Sequence, residues 1–259
     1  MSYILSFIFM FWLVYELTKC ELAKYKPTKC KLNKCELTKC RVSALFSGVI
    51  YSLSAYHLAH YMHPTLYNIQ WMPLYIICLL CLAKEGSVAW LIISSLMFAV
   101  VLYADAYYGY YAMIIFALMA MFKRFNTFKI VLPFVALTTL LSLPFVLWSR
   151  CLWGERMTKD MIYYTAHLSD YIYPYGQNAI EYVLYISPVV LLLALFGLRR
   201  ADKVFVALFF IALVFSFYPP IMPVFRSSAR FGFLVMLSAS VLAGYGVLQL
   251  NRRYSYGEL

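Results

Sequence analysis

Nine runs of apolar residues follow one another along the chain, separated by short polar or charged segments. They cover residues 2–17, 42–60, 69–83, 87–104, 106–122, 128–148, 182–198, 203–218 and 231–249. Helices of about 15–20 apolar residues match the hydrocarbon thickness of a bilayer. The pattern therefore predicts an all-α, polytopic transmembrane helical bundle with about nine spans, and the shortest runs leave eight or ten open.

Composition points to the same class of protein. Hydrophobic residues make up 64% of the chain and charged residues 13%, and the mean hydropathy is +0.76. Soluble domains average about 45–50% apolar and about 25% charged residues. The formal net charge of +11 does not indicate a nucleic-acid partner, because the basic residues lie between the apolar runs. We expect membrane lipid as a partner and the cell membrane as the location.

The distribution of charge predicts the orientation. With the N-terminus outside, the cytoplasmic segments are 18–41 at +6, "KRFNTFK" at +3, "RRADK" at +2 and the tail at +1. The long segment 149–181 then lies outside at −1. This asymmetry follows the positive-inside rule and predicts an N-out, C-in chain with one larger external loop. The predicted units are a first span 1–17, a cytoplasmic loop 18–41, a bundle 42–148, an external loop 149–181, a bundle 182–250 and a tail 251–259.

Residues 16–40 form five tandem pentamers, ELTKC, ELAKY, KPTKC, KLNKC and ELTKC. Five pentamers make little more than one coil of a pentapeptide β-helix, and such coils need about three stacked repeats. A zinc site is a second reading, although C-x4-C spacing is wider than usual within a zinc knuckle. We favour a basic juxtamembrane loop attracted to anionic lipid by about 1 kcal/mol per lysine. Its thiols stay reduced if the loop is cytoplasmic.

Asp105 is the single acid within "VLYADAYYGYYAMIIF". Aspartate is a favoured N-cap residue, so one reading is a turn residue that caps the helix beginning at Ala106. The other reading is functional, because carboxylates at membrane depth are costly and usually mark a site. In that reading the Asp105 carboxylate lines an external cavity together with Tyr107 and Tyr108, whose rings would stack on sugars.

Three histidines lie in "SAYHLAHYMHP". His57 and His60 are spaced to share one helix face, and imidazoles at that spacing can bind a metal. No acidic third ligand is adjacent in sequence. Hydrogen bonding to neighbouring helices is therefore the favoured alternative, and both residues are candidate cavity-lining groups.

Two arginines, Arg226 and Arg230, precede the last apolar run in "FRSSARFGFL". Guanidinium groups and a helix N-terminus both favour oxyanions, which predicts a phosphate-binding site. Contact with lipid phosphate, or pairing with acids of the external loop, is the alternative reading. That loop is aromatic and polar, suits an interfacial segment over the cavity mouth, and contributes Asp170 as a further cavity-lining residue.

Four stretches together resemble one family: "FSGVIYSLSAYHLAHYMHPTLYNIQWMPLYIICLLCLAKEG", "YADAYYGYY", "LSDYIYPYG" and "MPVFRSSARFGFLVMLSASVLAGYGVLQL". Over residues 42–250 they are similar to prokaryotic membrane proteins of the GT-C glycosyltransferase superfamily. The resemblance implies transfer of a sugar from a polyprenyl-phosphate donor on the extracytoplasmic face. It implies Asp105 as catalytic group or metal ligand, Arg226 and Arg230 as donor-phosphate ligands, and a divalent metal ion as cofactor.

The chain departs from the family in its first loop. GT-C members carry metal-binding and base carboxylates in the first external loop, whereas this loop is basic and no D-x-D or E-D pair occurs in the sequence. An upstream span with an acidic loop would account for the N-out start. The leading hypothesis is a glycosyltransferase or degenerate relative. The alternatives are a non-catalytic scaffold or lipid-binding subunit, and third a transporter, whose internal repeats and mid-membrane polar groups we do not find.

Overall fold

The computed structural model describes residues 1–24, 34–62, 66–150, 166–173, 184–217 and 228–256. All regular secondary structure in these ranges is helical. The helices are α1 (Ser2–Lys24), α2 (Lys34–Ser52), α3 (Ala55–Ala59), α4 (Trp71–Glu85), α5 (Val88–Ala104), α6 (Ala106–Lys123), α7 (Leu132–Arg150), α8 (Leu168–Ile172), α9 (Pro188–Gly197), α10 (Lys203–Phe217) and α11 (Gly232–Tyr256). Short 3-10 turns span His60–Met62 and Ser228–Phe231, and a π-helical turn spans Thr127–Val131.

Within the described ranges, five helical segments are long and apolar enough to cross a membrane. They are Ser2–Ala23, Lys34–Ala59, Ala106–Lys123, Thr127–Leu147 and Ala229–Arg252. Shorter apolar helices cover Val88–Ala104, Pro188–Gly197 and Lys203–Phe217. The prediction of an all-α chain with several apolar helices of membrane-spanning length is thus confirmed.

Helix α11 forms the centre of the bundle. Every residue in the most apolar stretch of Ala229–Arg252 is buried, and the helix packs against α2, α9 and α10. A helix that is apolar on every face belongs in the interior of a protein. Helix α7, by contrast, lies at the periphery, since only 11% of the most apolar stretch of Thr127–Leu147 is buried. The sequence of α11 therefore accounts for its central position.

Two glycines allow α9 and α11 to approach closely. A Cβ on Gly197 would lie 1.9 Å from the carbonyl oxygen of Leu242, and one on Gly246 would lie 2.0 Å from that of Leu193. No side chain fits at such distances, so the two backbones are in direct contact. Small residues at helix crossings are the usual means of tight packing within membranes.

The short connections reverse the chain and define two ends of the bundle. At one end, which we call the Lys84 end, a cavity of about 190 Å³ is lined by Glu16, Leu17, Cys20, Leu80, Ala83, Lys84, Lys123, Asp202 and Tyr245. These residues come from α1, α4, α6, α11 and the segment preceding α10. The opposite end, which we call the Asp105 end, carries the turn between α5 and α6 and the start of α11.

The described parts of the pentamer segment are helical. Helix α1 continues to Lys24, beyond the predicted first span, and α2 begins at Lys34, before the predicted second span. Leucine, lysine and glutamate favour helix, which lets both helices extend past their apolar residues. Residues 25–33, with Cys30, lie outside the described ranges.

Candidate functional site at the Asp105 end

Asp105 caps helix α6. Its backbone is extended, with φ −162° and ψ 136°, and its Oδ1 accepts a hydrogen bond of 2.8 Å from the backbone N–H of Tyr107. Its own N–H donates to the carbonyl oxygen of Val101, the last turn of α5, at 3.2 Å. The residue therefore ends one helix and begins the next, as expected of an aspartate N-cap.

Arg230 lies over the same tyrosine. Its guanidinium carbon is 4.4 Å from the centroid of the Tyr107 ring. Arg230 belongs to the 3-10 turn Ser228–Phe231 before α11, and all three side chains, those of Asp105, Tyr107 and Arg230, are half-buried. The structure thus brings the predicted acid and one predicted arginine to the same residue, with a cation–π contact in a partly desolvated position.

Buried aromatic side chains lie beneath this group. The ring centroid of Phe233 is 4.8 Å from that of Tyr108, and the centroid of Phe231 is 5.1 Å from that of Tyr111. The Tyr108 hydroxyl donates to the carbonyl oxygen of Leu66. Tyr108 therefore ties α6 to the segment before α4 and has a structural bond in addition to its predicted place at the cavity.

His57 lies in a buried polar network. Its Nδ1 is 2.9 Å from the carbonyl oxygen of Ser52, and its Nε2 is 3.2 Å from the Ser2 hydroxyl oxygen. Ser2 Oγ is also 2.6 Å from Gln70 Oε1 and 2.9 Å from the carbonyl oxygen of Tyr67. Ser2 and Gln70 could not be recognised as partners of His57 from the sequence, because no local pattern indicates contacts between residues so far apart in the chain.

His60 packs on a different neighbour. Its Nδ1–H donates to the carbonyl oxygen of Tyr56 at 2.8 Å, and its ring stacks on that of Tyr56 at 4.2 Å. Both histidines are fully buried and bonded to backbone carbonyls, which favours the reading as polar interface residues. No group of three or more histidine, cysteine, aspartate or glutamate side chains able to hold a metal ion occurs among the described residues.

Asp170 is a buried residue in the first turn of the short helix α8, and its side chain is part of the capping box at the start of that helix. Its Oδ2 accepts a hydrogen bond of 2.7 Å from the backbone N–H of His167. The N–H of Ala166 donates to the carbonyl oxygen of Ser216, which docks this segment on the last turn of α10. Burial raises the pKa of the neighbouring Tyr171 hydroxyl, in keeping with a well-packed segment.

The last turn of α10 connects α8 to the arginine. The ring centroid of Phe217 is 5.8 Å from that of Tyr171, and the centroid of Phe215 is 5.4 Å from that of Phe231. Asp170 and Arg230 thus lie at the same end of the bundle, although no contact between them is described. Arg226, like most of the predicted loop 149–181, lies outside the described residues.

The chain matches no protein family, no curated protein and no solved structure. The resemblance to GT-C glycosyltransferases therefore stays a prediction. The site consists of a carboxylate, a guanidinium and an aromatic ring, all half-buried and in contact through Tyr107. These groups suit an anionic ligand that also carries hydroxyls.

Proposed function

We propose that the chain is a membrane protein that binds a polyprenyl-phosphate-linked sugar at its Asp105 end and transfers the sugar to an acceptor hydroxyl, as GT-C glycosyltransferases do. The observation that carries the proposal is the position of Tyr107, whose N–H bonds to Asp105 and whose ring lies under Arg230. This reaction needs one residue that binds the phosphate of the donor and one carboxylate that takes the proton from the acceptor hydroxyl. Here Arg230 and Asp105 both contact Tyr107, although they come from distant parts of the sequence.

In the proposed topology about nine helices cross the cell membrane, with the Asp105 end outside and the Lys84 end in the cytoplasm. The positive charge of the segments 18–41, 123–129 and 199–203 supports this orientation. Glu16, Lys84, Lys123 and Asp202 line one cavity, as expected if the ends of alternate spans meet on one side. The lipid-linked donor would then bind from the outer leaflet.

Arg230 is the phosphate-binding residue of the proposed site, together with Arg226. A guanidinium offers paired N–H donors that match phosphate oxygens, and partial burial strengthens such bonds. The guanidinium carbon of Arg230 lies 4.4 Å from the centroid of the Tyr107 ring. Tyr107 then serves as a platform for the guanidinium and for the sugar.

Asp105 is the proposed general base. The acceptor oxygen attacks the anomeric carbon of the sugar, the bond from that carbon to the phosphate oxygen breaks, and the phosphate leaves with the electron pair. The acceptor proton passes to the carboxylate, which must lie within hydrogen-bond reach of it. Since the described residues provide no set of ligands for a divalent metal ion, we derive no step through one.

Sugar transfer by the purified protein in lipid nanodiscs tests the proposal. The donor is a polyprenyl phosphate carrying a radiolabelled sugar, and the product is separated from the donor by extraction. We expect Asp105→Asn and Arg230→Ala to reduce transfer at least tenfold. Glu85→Gln is the matched control, because it removes a carboxylate at the Lys84 end while keeping an acceptor for the Trp90 Nε1–H, which lies 2.7 Å away. If all three variants transfer the sugar at the same rate as the wild-type protein, the proposed chemistry is refuted.

Binding without catalysis is the second candidate function. It is favoured by the engagement of the Asp105 carboxylate in the α6 cap, which accounts for the acid without any reaction. In that case Arg230→Ala weakens binding of polyprenyl phosphate, and the wild-type protein shows no transfer of the labelled sugar.

A further inference from the structure

Six of the described tyrosines are almost completely buried, namely Tyr51, Tyr56, Tyr75, Tyr108, Tyr111 and Tyr245, and the hydroxyls of three of them donate to backbone carbonyl oxygens. The acceptors are the backbone carbonyl oxygens of Ile69 for Tyr51, Ala112 for Tyr75 and Leu66 for Tyr108. Tyr111 is 0% exposed, and its hydroxyl has no hydrogen-bond partner among the described residues. Buried hydroxyls are nearly always bonded, because leaving one unbonded is costly, so Tyr111 requires an explanation.

The surroundings of Tyr111 supply that explanation. Tyr111 lies one helical turn after Tyr107 in α6, and its ring centroid is 5.1 Å from that of Phe231, the residue that follows Arg230. The side chains of Asp105, Tyr107 and Arg230 are half-buried, whereas Tyr111 lies deeper, between α6 and the start of α11. A buried hydroxyl with no acceptor among the described residues therefore lies beneath the proposed site.

We infer that Tyr111 is a further binding residue of this site and that its hydroxyl donates a hydrogen bond to a phosphate oxygen of the lipid-linked ligand. This inference rests on the proposed function. An anionic oxygen is the expected acceptor, because Arg230 attracts the phosphate to the same place and bonds to charged acceptors are the stronger ones. The guanidinium binds the phosphate from the surface, and Tyr111 binds it from the interior.

Substitution by phenylalanine isolates the hydroxyl. Tyr111→Phe removes a donor that has no described acceptor in the free protein, so we expect the thermal unfolding midpoint of the free protein to stay the same or rise. We expect the affinity for polyprenyl phosphate, measured by the shift of that midpoint with ligand concentration, to fall about tenfold or more. The affinity for polyprenol, which lacks the phosphate, should not change.

Tyr75→Phe is the matched control. Tyr75 is equally buried, but its hydroxyl donates to the carbonyl oxygen of Ala112 at 3.2 Å. Its removal should lower the unfolding midpoint of the free protein and leave the affinity for polyprenyl phosphate unchanged. The two variants are therefore expected to give opposite results in the same pair of measurements.

Arg230→Ala separates failure of this inference from failure of the proposed function. If Arg230→Ala weakens binding of polyprenyl phosphate and Tyr111→Phe does not, the inference is wrong and the site stands. If Tyr111→Phe lowers the unfolding midpoint as Tyr75→Phe does, the hydroxyl has a structural partner and the inference is again wrong. If the wild-type protein binds polyprenyl phosphate no better than polyprenol, both the function and the inference are refuted.

Discussion

The backbone N–H of Tyr107 donates to Oδ1 of Asp105 across 2.8 Å, which closes the first turn of α6. This bond allows the structural role of Asp105 to be separated from a chemical one. Asp105→Ala removes the cap and should lower the free energy of unfolding by about 1 kcal/mol. Asp105→Asn keeps an oxygen acceptor and should lie within a few tenths of a kcal/mol of the wild type. Thermal or denaturant unfolding in one detergent measures both.

The asparagine variant therefore carries the test of function. A loss of sugar transfer in Asp105→Asn cannot then be attributed to unfolding. If Asp105→Asn is instead destabilised as much as Asp105→Ala, the negative charge itself stabilises the turn, and the cap interpretation is incomplete.

The crossing of α9 and α11 depends on glycine. In Gly246→Ala the new Cβ would lie 2.0 Å from the carbonyl oxygen of Leu193, so the helices must separate. We expect the free energy of unfolding to fall by about 1–3 kcal/mol, as in other overpacked interiors. Gly86→Asn is the control, since a Cβ at Gly86 meets nothing within 4 Å and asparagine tolerates its φ of +60°. A neutral Gly246→Ala would show that the helices are not in close contact.

Two ion pairs at the Lys84 end differ in their surroundings. Lys123 and Asp202 form a close pair with side chains 29% and 13% exposed, whereas Lys84 lies 3.6 Å from Glu16 with side chains 50% and 29% exposed. We expect a double-mutant cycle of Lys123→Met and Asp202→Asn to give a coupling energy of about 1 kcal/mol. The cycle of Lys84→Met and Glu16→Gln should give less than about 0.5 kcal/mol because solvent screens that pair.

Asparagine at position 202 keeps the acceptor for the N–H of Val204, which lies 3.1 Å from Asp202 Oδ1, so this cycle reports on charge. Unfolding by denaturant in a fixed detergent provides the energies. Equal coupling in the two pairs would contradict the assignment of the stronger contact to Lys123 and Asp202.

Local features of this fold were predictable from the sequence. The apolar runs predict the helices, because burial in lipid requires long apolar segments whose backbone bonds are internal. The Asp105 cap was one of two readings of a single stretch, since a cap involves only residues near in sequence. Helix ends were less predictable: α1 continues to Lys24 because polar residues with high helix propensity follow its apolar part.

Contacts between distant segments were not predictable. His57 and His60 share a face on an ideal helix, but α3 ends at Ala59 and His60 begins a 3-10 turn. The two rings therefore pack on different neighbours. The position of Arg230 over Tyr107, and the burial of Tyr111 without an acceptor among the described residues, depend on how α11 packs against α6. Sequence periodicity carries no information on that packing.

The orientation of the bundle is open to direct measurement. Cys35 is exposed near the start of α2, and Tyr173 is 64% exposed just after α8 at the Asp105 end. Two variants are needed, each with one cysteine, at position 35 or at position 173 through Tyr173→Cys, and the other native cysteines replaced by serine. In intact cells a membrane-impermeant maleimide should label position 173 and spare Cys35, because the +6 segment 18–41 stays in the cytoplasm.

Permeabilised cells provide the control, in which both cysteines should react to the same extent. Labelling of Cys35 in intact cells, with position 173 protected, would show that the chain has the opposite orientation in the membrane. Asp105 and Arg230 would then face the cytoplasm, where a donor held in the outer leaflet does not reach them. The sugar-transfer proposal therefore requires this result, whereas the cap of α6 and the glycine crossing of α9 with α11 do not depend on it.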